Sequence, residues 1–108
     1  MRRGEVWTAI GPGYGGKPRP VVILQDDRFD GTASVIVCPF TTNPTDAPHF
    51  RPVAEPSSRN GLKVTSRIMV DKVTATPRTR VRERIGALEH EHLVAVERAV
   101  VVFLGIGD

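Results

Sequence analysis

Polar and apolar residues alternate along Glu5-Val6-Trp7-Thr8-Ala9-Ile10, with Val6, Thr8 and Ile10 on one face of an extended chain and Trp7 on the other. This period of two predicts a first strand. The next six residues, Gly11-Pro12-Gly13-Tyr14-Gly15-Gly16, hold four glycines and a proline and predict a loop. It is not a phosphate-binding P-loop, which would close on Gly-Lys-Ser/Thr and open a helix.

A different pattern follows. In Lys17-Pro18-Arg19-Pro20-Val21-Val22-Ile23-Leu24 the two prolines bias Arg19 towards extended backbone, and four aliphatic residues then run without a polar break. An unbroken run of that length predicts a strand buried on both faces, with a permanent cation at its mouth. Turn residues at 26–31 separate it from a third strand, Ala33-Ser34-Val35-Ile36-Val37-Cys38, which runs into Pro39-Phe40-Thr41-Thr42. Residues 43–61 contain four prolines and little periodicity, and predict loop with a short edge strand around 50–54. Alternation returns at 62–76, with Val64, Ser66, Ile68, Val70 and Lys72 on one parity, and predicts one long or bent strand.

Arg78, Arg80, Arg82 and Arg84 occupy every second position and share a face if the chain is extended. Such a ladder serves either as a charged edge that resists aggregation or as a binding stripe. Gly86 ends it. Leu93, Val96, Val100 and Phe103 then recur at helical spacing and predict an amphipathic helix over 89–104, although Val100-Val101-Val102-Phe103 also fits a strand. The architecture expected is mainly β with a C-terminal helix, a strongly bent antiparallel sheet of about five to seven strands forming a small barrel. One domain over 1–108 is expected at this length.

Composition narrows the chemistry. Net charge is +3 and the fifteen basic side chains are three lysines and twelve arginines, a bias that either phosphate recognition or a GC-rich genome produces. Cys38 is the single cysteine, so an internal disulfide and a zinc cluster are excluded and a reducing setting fits. The start lacks the apolar core of a signal peptide and no apolar run reaches membrane-spanning length, so a cytoplasmic protein without a membrane partner is expected. His90 and His92 point in different directions on a helix, and His49 lies beside a proline, so none suggests acid–base work. The pair with chemical interest is Arg19, at the start of one strand, and Thr41, at the end of another. If those strands are antiparallel neighbours, guanidinium and hydroxyl meet at one rim and suit a phosphodiester. A structural ion pair fits Arg19 equally well.

Three segments carry a family resemblance: Arg3-Gly4-Glu5-Val6-Trp7, Arg19-Pro20-Val21-Val22-Ile23-Leu24-Gln25-Asp26-Asp27, and Val35-Ile36-Val37-Cys38-Pro39-Phe40-Thr41-Thr42. Together they resemble the MazF/PemK (Kid) toxins of type II toxin–antitoxin systems, and Asp71-Lys72-Val73, Arg80, Ile85-Gly86 and the terminal helix fall where that family has counterparts. The resemblance implies an SH3-like barrel and a homodimeric, metal-independent endoribonuclease with no cofactor, cutting single-stranded RNA by attack of the 2′-hydroxyl. It implies Arg19 and Thr41 as catalytic residues and an acidic antitoxin as partner. Candidate RNA contacts are Lys17 and Thr42, Tyr14 as a ring that stacks on a base, and Arg78 and Arg80 of the ladder, which suit either RNA or the antitoxin. One departure stands out: many relatives carry a carboxylate in the first loop, where this chain has Gly13-Tyr14-Gly15-Gly16. The alternative is the non-enzymatic branch of the superfamily that poisons DNA gyrase. Phe103-Leu104-Gly105-Ile106 is similar to its Trp-Gly-Ile ending but lacks the tryptophan. An RNA-binding barrel without activity is a third option.

Overall fold

The unbroken run after Pro20 is the centre of the sheet. In the computed structural model, which describes residues 1–12 and 14–107, β2 (Arg19–Ile23) lies between β1 (Glu5–Ala9) and β3 (Ser34–Thr41), antiparallel to both. Val21 and Ile23 pack with Ala9, Val35, Val37 and Val81 on one face; Val22 packs with Val6, Cys38, Phe40 and Ile68 on the other. Both faces are therefore dry. Each such side chain contributes about 1.5–3 kcal/mol by leaving water, which is why the run carries no polar residue.

The remaining strands extend this centre. β4 (Val53–Ala54), β5 (Ser66–Ile68), β6 (Thr74–Pro77) and β7 (Val81–Ala87) complete a curled antiparallel sheet in the order β4-β5-β3-β2-β1-β7, with β6 also on β3. The free edge of β3 is shared: its first half pairs with β6, Val35 opposite Thr76, and its end pairs with β5, Thr41 opposite Arg67. One strand could not serve both. The segment predicted over 62–76 accordingly bends at a 3₁₀ turn, Val70–Lys72, where Val70 is fully buried and Val73 N–H donates back to the Val70 carbonyl. Of the short edge strand expected around 50–54, only Val53–Ala54 is extended, as β4 at the edge of the sheet.

The arginine ladder does not form. Arg78–Arg80 is another 3₁₀ turn, clasped where Arg78 donates from its backbone to Ala33 and from its guanidinium to the carbonyls of Thr32 and Phe29. Along β7 the pairing with β1 slips twice, Val6 facing Gly86, Trp7 facing Arg84 and Ala9 facing Val81, so extra residues bulge on β7 and bend it. Arg84 ends on Glu5, 2.8 Å away.

The last segment is helical to its end: α1 (His90–Leu104) buries Val96 and Ala99 against the sheet and closes at Gly105, whose φ of 68° lets Ile106 N–H reach the Val101 carbonyl. A loop over residues 57–62 ties this helix to β7. Buried Asn60 donates to the Glu55 carbonyl and to Glu89, and accepts from Ser57 and Leu62. The Ser57 hydroxyl donates to the other Glu89 oxygen at 2.6 Å. Among the described residues no buried side-chain polar atom lacks a partner, and no helix is long and apolar enough to cross a membrane.

Candidate active site

A groove of about 640 Å³ opens where β2 begins and β3 ends. Arg19 reaches it from the first position of β2, where it pairs with Ala9. Thr41 reaches it from the last position of β3. The Val21–Pro39 pair is the final rung between the two strands, and Arg19 and Thr41 each lie two residues beyond it. Two residues on a strand restore the same face. The chain thus brings together residues 22 apart in sequence because Asp26–Gly31 reverses it between two strands of matching register.

Arg19 is exposed, and none of the ion pairs among the described residues includes it. Of the two roles open to it from sequence, the structural ion pair finds no carboxylate among the described residues. The Thr41 hydroxyl oxygen accepts from Asn43 N–H at 3.1 Å, which fixes the side chain and leaves the hydroxyl proton available to a ligand. Asn43 is held in turn, its Oδ1 accepting from the backbone and hydroxyl of Thr45.

A second cation enters from an unexpected place. Lys72 lines the groove at the end of the 3₁₀ turn that interrupts the 62–76 segment. Its neighbour Asp71 receives two 2.9 Å hydrogen bonds from Arg51. That pair holds the Asp71 carboxyl below the usual carboxylate range and secures the turn from which Lys72 projects. The alternation at 62–76 places Lys72 on one strand face with Ile68 and Val70 and carries no mark of a place in the groove.

Tyr14 forms part of the wall. It is half-buried against the cluster of Val21 and Val35, and burial pushes its phenol pKa up, so the ring presents a protonated hydroxyl. Thr42 also lines the groove. No carboxylate and no imidazole is among the described lining residues. The site can therefore bind and stabilise negative charge, but it offers no side chain with the character of a general base.

Comparison with known proteins identifies the family of the chain. Residues 2–104 match the family model described as PemK-like, MazF-like toxin of type II toxin–antitoxin system. The chain belongs to the MazF/PemK toxin family. It is 54% identical over 107 residues to the probable endoribonuclease MazF of Mycolicibacterium smegmatis, covering 98% of each chain. Its fold is similar to that of an endoribonuclease solved with its cognate antitoxin from a mycobacterial species, with TM-score 0.82 at 21% identity over 100% of this chain and 98% of that one. It is equally similar to the Mycobacterium tuberculosis toxin MazF-mt6, with TM-score 0.82 at 22% identity over 96% and 99% of the two chains. At those identities the structural likeness speaks for the fold.

Within this MazF/PemK chain the remaining site candidates separate. Arg80 borders a small extension of the groove beyond Tyr14. Lys17 is exposed in the turn before β2 and lines neither space. Arg78 donates to the loop carbonyls of Phe29 and Thr32 and lines neither space. Gly13, one of the loop glycines that replaces a carboxylate in the family pattern, lies outside the described residues. Cys38 sits beneath the site, and burial pushes its thiol up to about 12, so it serves as packing.

Proposed function

We propose that this chain is the toxin of a type II toxin–antitoxin system and acts as an endoribonuclease on single-stranded RNA, cutting mRNA, tRNA or rRNA at a short sequence without a metal ion. The observation that carries the reading is the convergence of Arg19, Thr41 and Lys72 on one groove whose described lining has no carboxylate. Such a site suits a phosphodiester whose charge increases during reaction.

In this reading the ribose 2′-oxygen attacks the adjacent phosphorus and the bond to the 5′-oxygen breaks, leaving a 2′,3′-cyclic phosphate and a free 5′-hydroxyl. Negative charge grows on the non-bridging oxygens. The Arg19 fork stabilises it through two parallel hydrogen bonds, the Thr41 hydroxyl donates a further one, and Lys72 adds a point charge. Arginine keeps its proton at neutral pH, so its role is electrostatic. The 2′-hydroxyl proton passes to water, and the departing 5′-oxygen takes one from water. Thr42, Tyr14 and Lys17 guide the strand, Tyr14 offering a ring face to a base.

An antitoxin is the inferred partner, since the similar mycobacterial endoribonuclease was solved with its cognate antitoxin; we infer it to be acidic and partly disordered, matching the basic excess of this chain, and a homodimer in the cytoplasm is the inferred working form. Digestion of a long RNA with mapped ends tests the enzyme reading. Cleavage that persists in EDTA and leaves cyclic phosphate termini is expected; dependence on a divalent ion, or cleavage undiminished in Arg19→Ala, overturns it. Light scattering on the purified protein reads the dimer.

A further inference from the structure

A second, smaller space of about 140 Å³ adjoins the groove, sharing Pro12, Tyr14 and Thr74 with it and lined also by Arg80. That volume is about five waters, enough for a phosphate group and too little for a nucleotide. None of its described lining residues is acidic.

Arg80 is held for such a role. Its carbonyl accepts from Ile10 N–H at 2.9 Å, and the 3₁₀ turn that carries it is clasped to the 29–33 loop through Arg78. The backbone is thereby fixed while the Arg80 side chain stays exposed and outside every ion pair among the described residues. The Arg80 side chain lies beside Gly11, with a guanidinium nitrogen 3.5 Å from where a Cβ would stand on that residue, at the rim of the same space. Of two arginines two residues apart, one anchors the turn and the other faces the ligand.

We propose that Arg80 forms a second phosphate subsite, which holds the phosphate of a nucleotide flanking the cut while Arg19 and Thr41 hold the scissile one. Tyr14 is the partition between them. This rests on the ribonuclease reading and adds to it a stated ligand, the backbone of the same RNA strand, and a role in affinity for longer substrates. A planar fork on a fixed turn suits a phosphate better than a diffuse charge would.

The test uses wild-type protein, Arg80→Ala and Arg80→Lys with two single-stranded RNAs carrying a 2′-O-methyl group at a mapped cut site. One RNA spans only the scissile linkage and the other extends several nucleotides to each side. Binding is read by fluorescence anisotropy across a salt series. Arg80→Ala is expected to weaken binding of the long RNA several-fold more than that of the short one. It should also reduce the slope of log affinity against log salt by about 0.7, the contribution of one phosphate contact on a single strand. Arg80→Lys should keep the slope and recover part of the affinity. Thermal unfolding of each variant confirms that it is folded. An unchanged slope in Arg80→Ala, with wild-type RNA cleavage intact, overturns the subsite alone. Loss of capture of an acidic antitoxin peptide with RNA binding undisturbed also overturns it, assigning Arg80 to the partner. Wild-type protein that neither cuts nor binds single-stranded RNA overturns this and the nuclease reading together.

Discussion

Arg19 and Thr41 each stand two residues past the Val21–Pro39 pair, one opening β2 and the other closing β3, and both face the same groove. A cation without an ionic partner among the described residues adds nothing to stability through pairing, so its removal should separate activity from fold. Arg19→Ala is expected to lower RNA cleavage by about 10²–10³ while unfolding free energy changes by no more than about 0.5 kcal/mol. Thr41→Val should cost about 10–100-fold, since one hydrogen bond to charged oxygen is lost. Single-turnover cleavage beside chemical denaturation reads both.

The Arg51–Asp71 pair acts at one remove from the chemistry. Both side chains are mostly buried, at 15% and 19% exposure, so the pair is better shielded than a surface bridge. Asp71→Asn should destabilise the protein by about 1–3 kcal/mol and raise KM by loosening the turn that presents Lys72. A double-mutant cycle with Arg51→Ala should return a coupling of about 1 kcal/mol or more; additive effects would show that the pair does not secure the turn.

Acid should loosen the clasp between α1 and the 57–62 loop. Glu89 is held at about 2, below its ordinary value near 4.5, first by the Ser57 hydroxyl and then, against the opposing effect of burial, by hydrogen bonds that include Asn60 and His92. A carboxyl with a depressed folded pKa contributes stability above the unfolded value. That contribution, up to about 3 kcal/mol, disappears as pH falls from 4.5 towards 2. Melting temperatures recorded across this window should drop for wild type and change less for Glu89→Gln, which starts lower.

Gly86 crosses the same loop with no room for a side chain. A Cβ there would strike the backbone of Arg59 and Asn60, and a Cβ on Gly61, whose φ is 72°, would strike the Ile85 carbonyl. Neither neighbour is a flexible side-chain end, so Gly86→Ala should destabilise by about 3 kcal/mol or more. A melting temperature within a degree of wild type would show that the crossing can relax.

Cys38 should be inert in the folded protein. With its thiol buried and pushed up to about 12, almost no thiolate exists near neutral pH. A thiol reagent should label it only at the rate of unfolding.

Much of this molecule is written locally. The aliphatic run at 21–24 demanded burial on both faces and therefore a central strand; the period-two segments, the Gly105 helix end and the absence of a second cysteine each act over a few residues or by simple count. Because Arg19 and Thr41 terminate strands joined by a short turn, even their approach could be anticipated from the order of elements. Other features depend on which neighbours compete for one edge. β3 pairs with β6 along its first half and with β5 only at its last two residues, and that division, with Val70 drawn into the core, breaks the 62–76 alternation and turns Lys72 into the groove. Three of the four alternating arginines likewise carry no local mark of their fates: Arg78 is taken by carbonyls of a loop nearly fifty residues away, Arg84 by Glu5, and Arg80 is left facing open space. Hydrophobic period and turn chemistry act between near neighbours and so are visible in sequence; the partner that neutralises a charge is set by three-dimensional proximity, which only the assembled sheet provides.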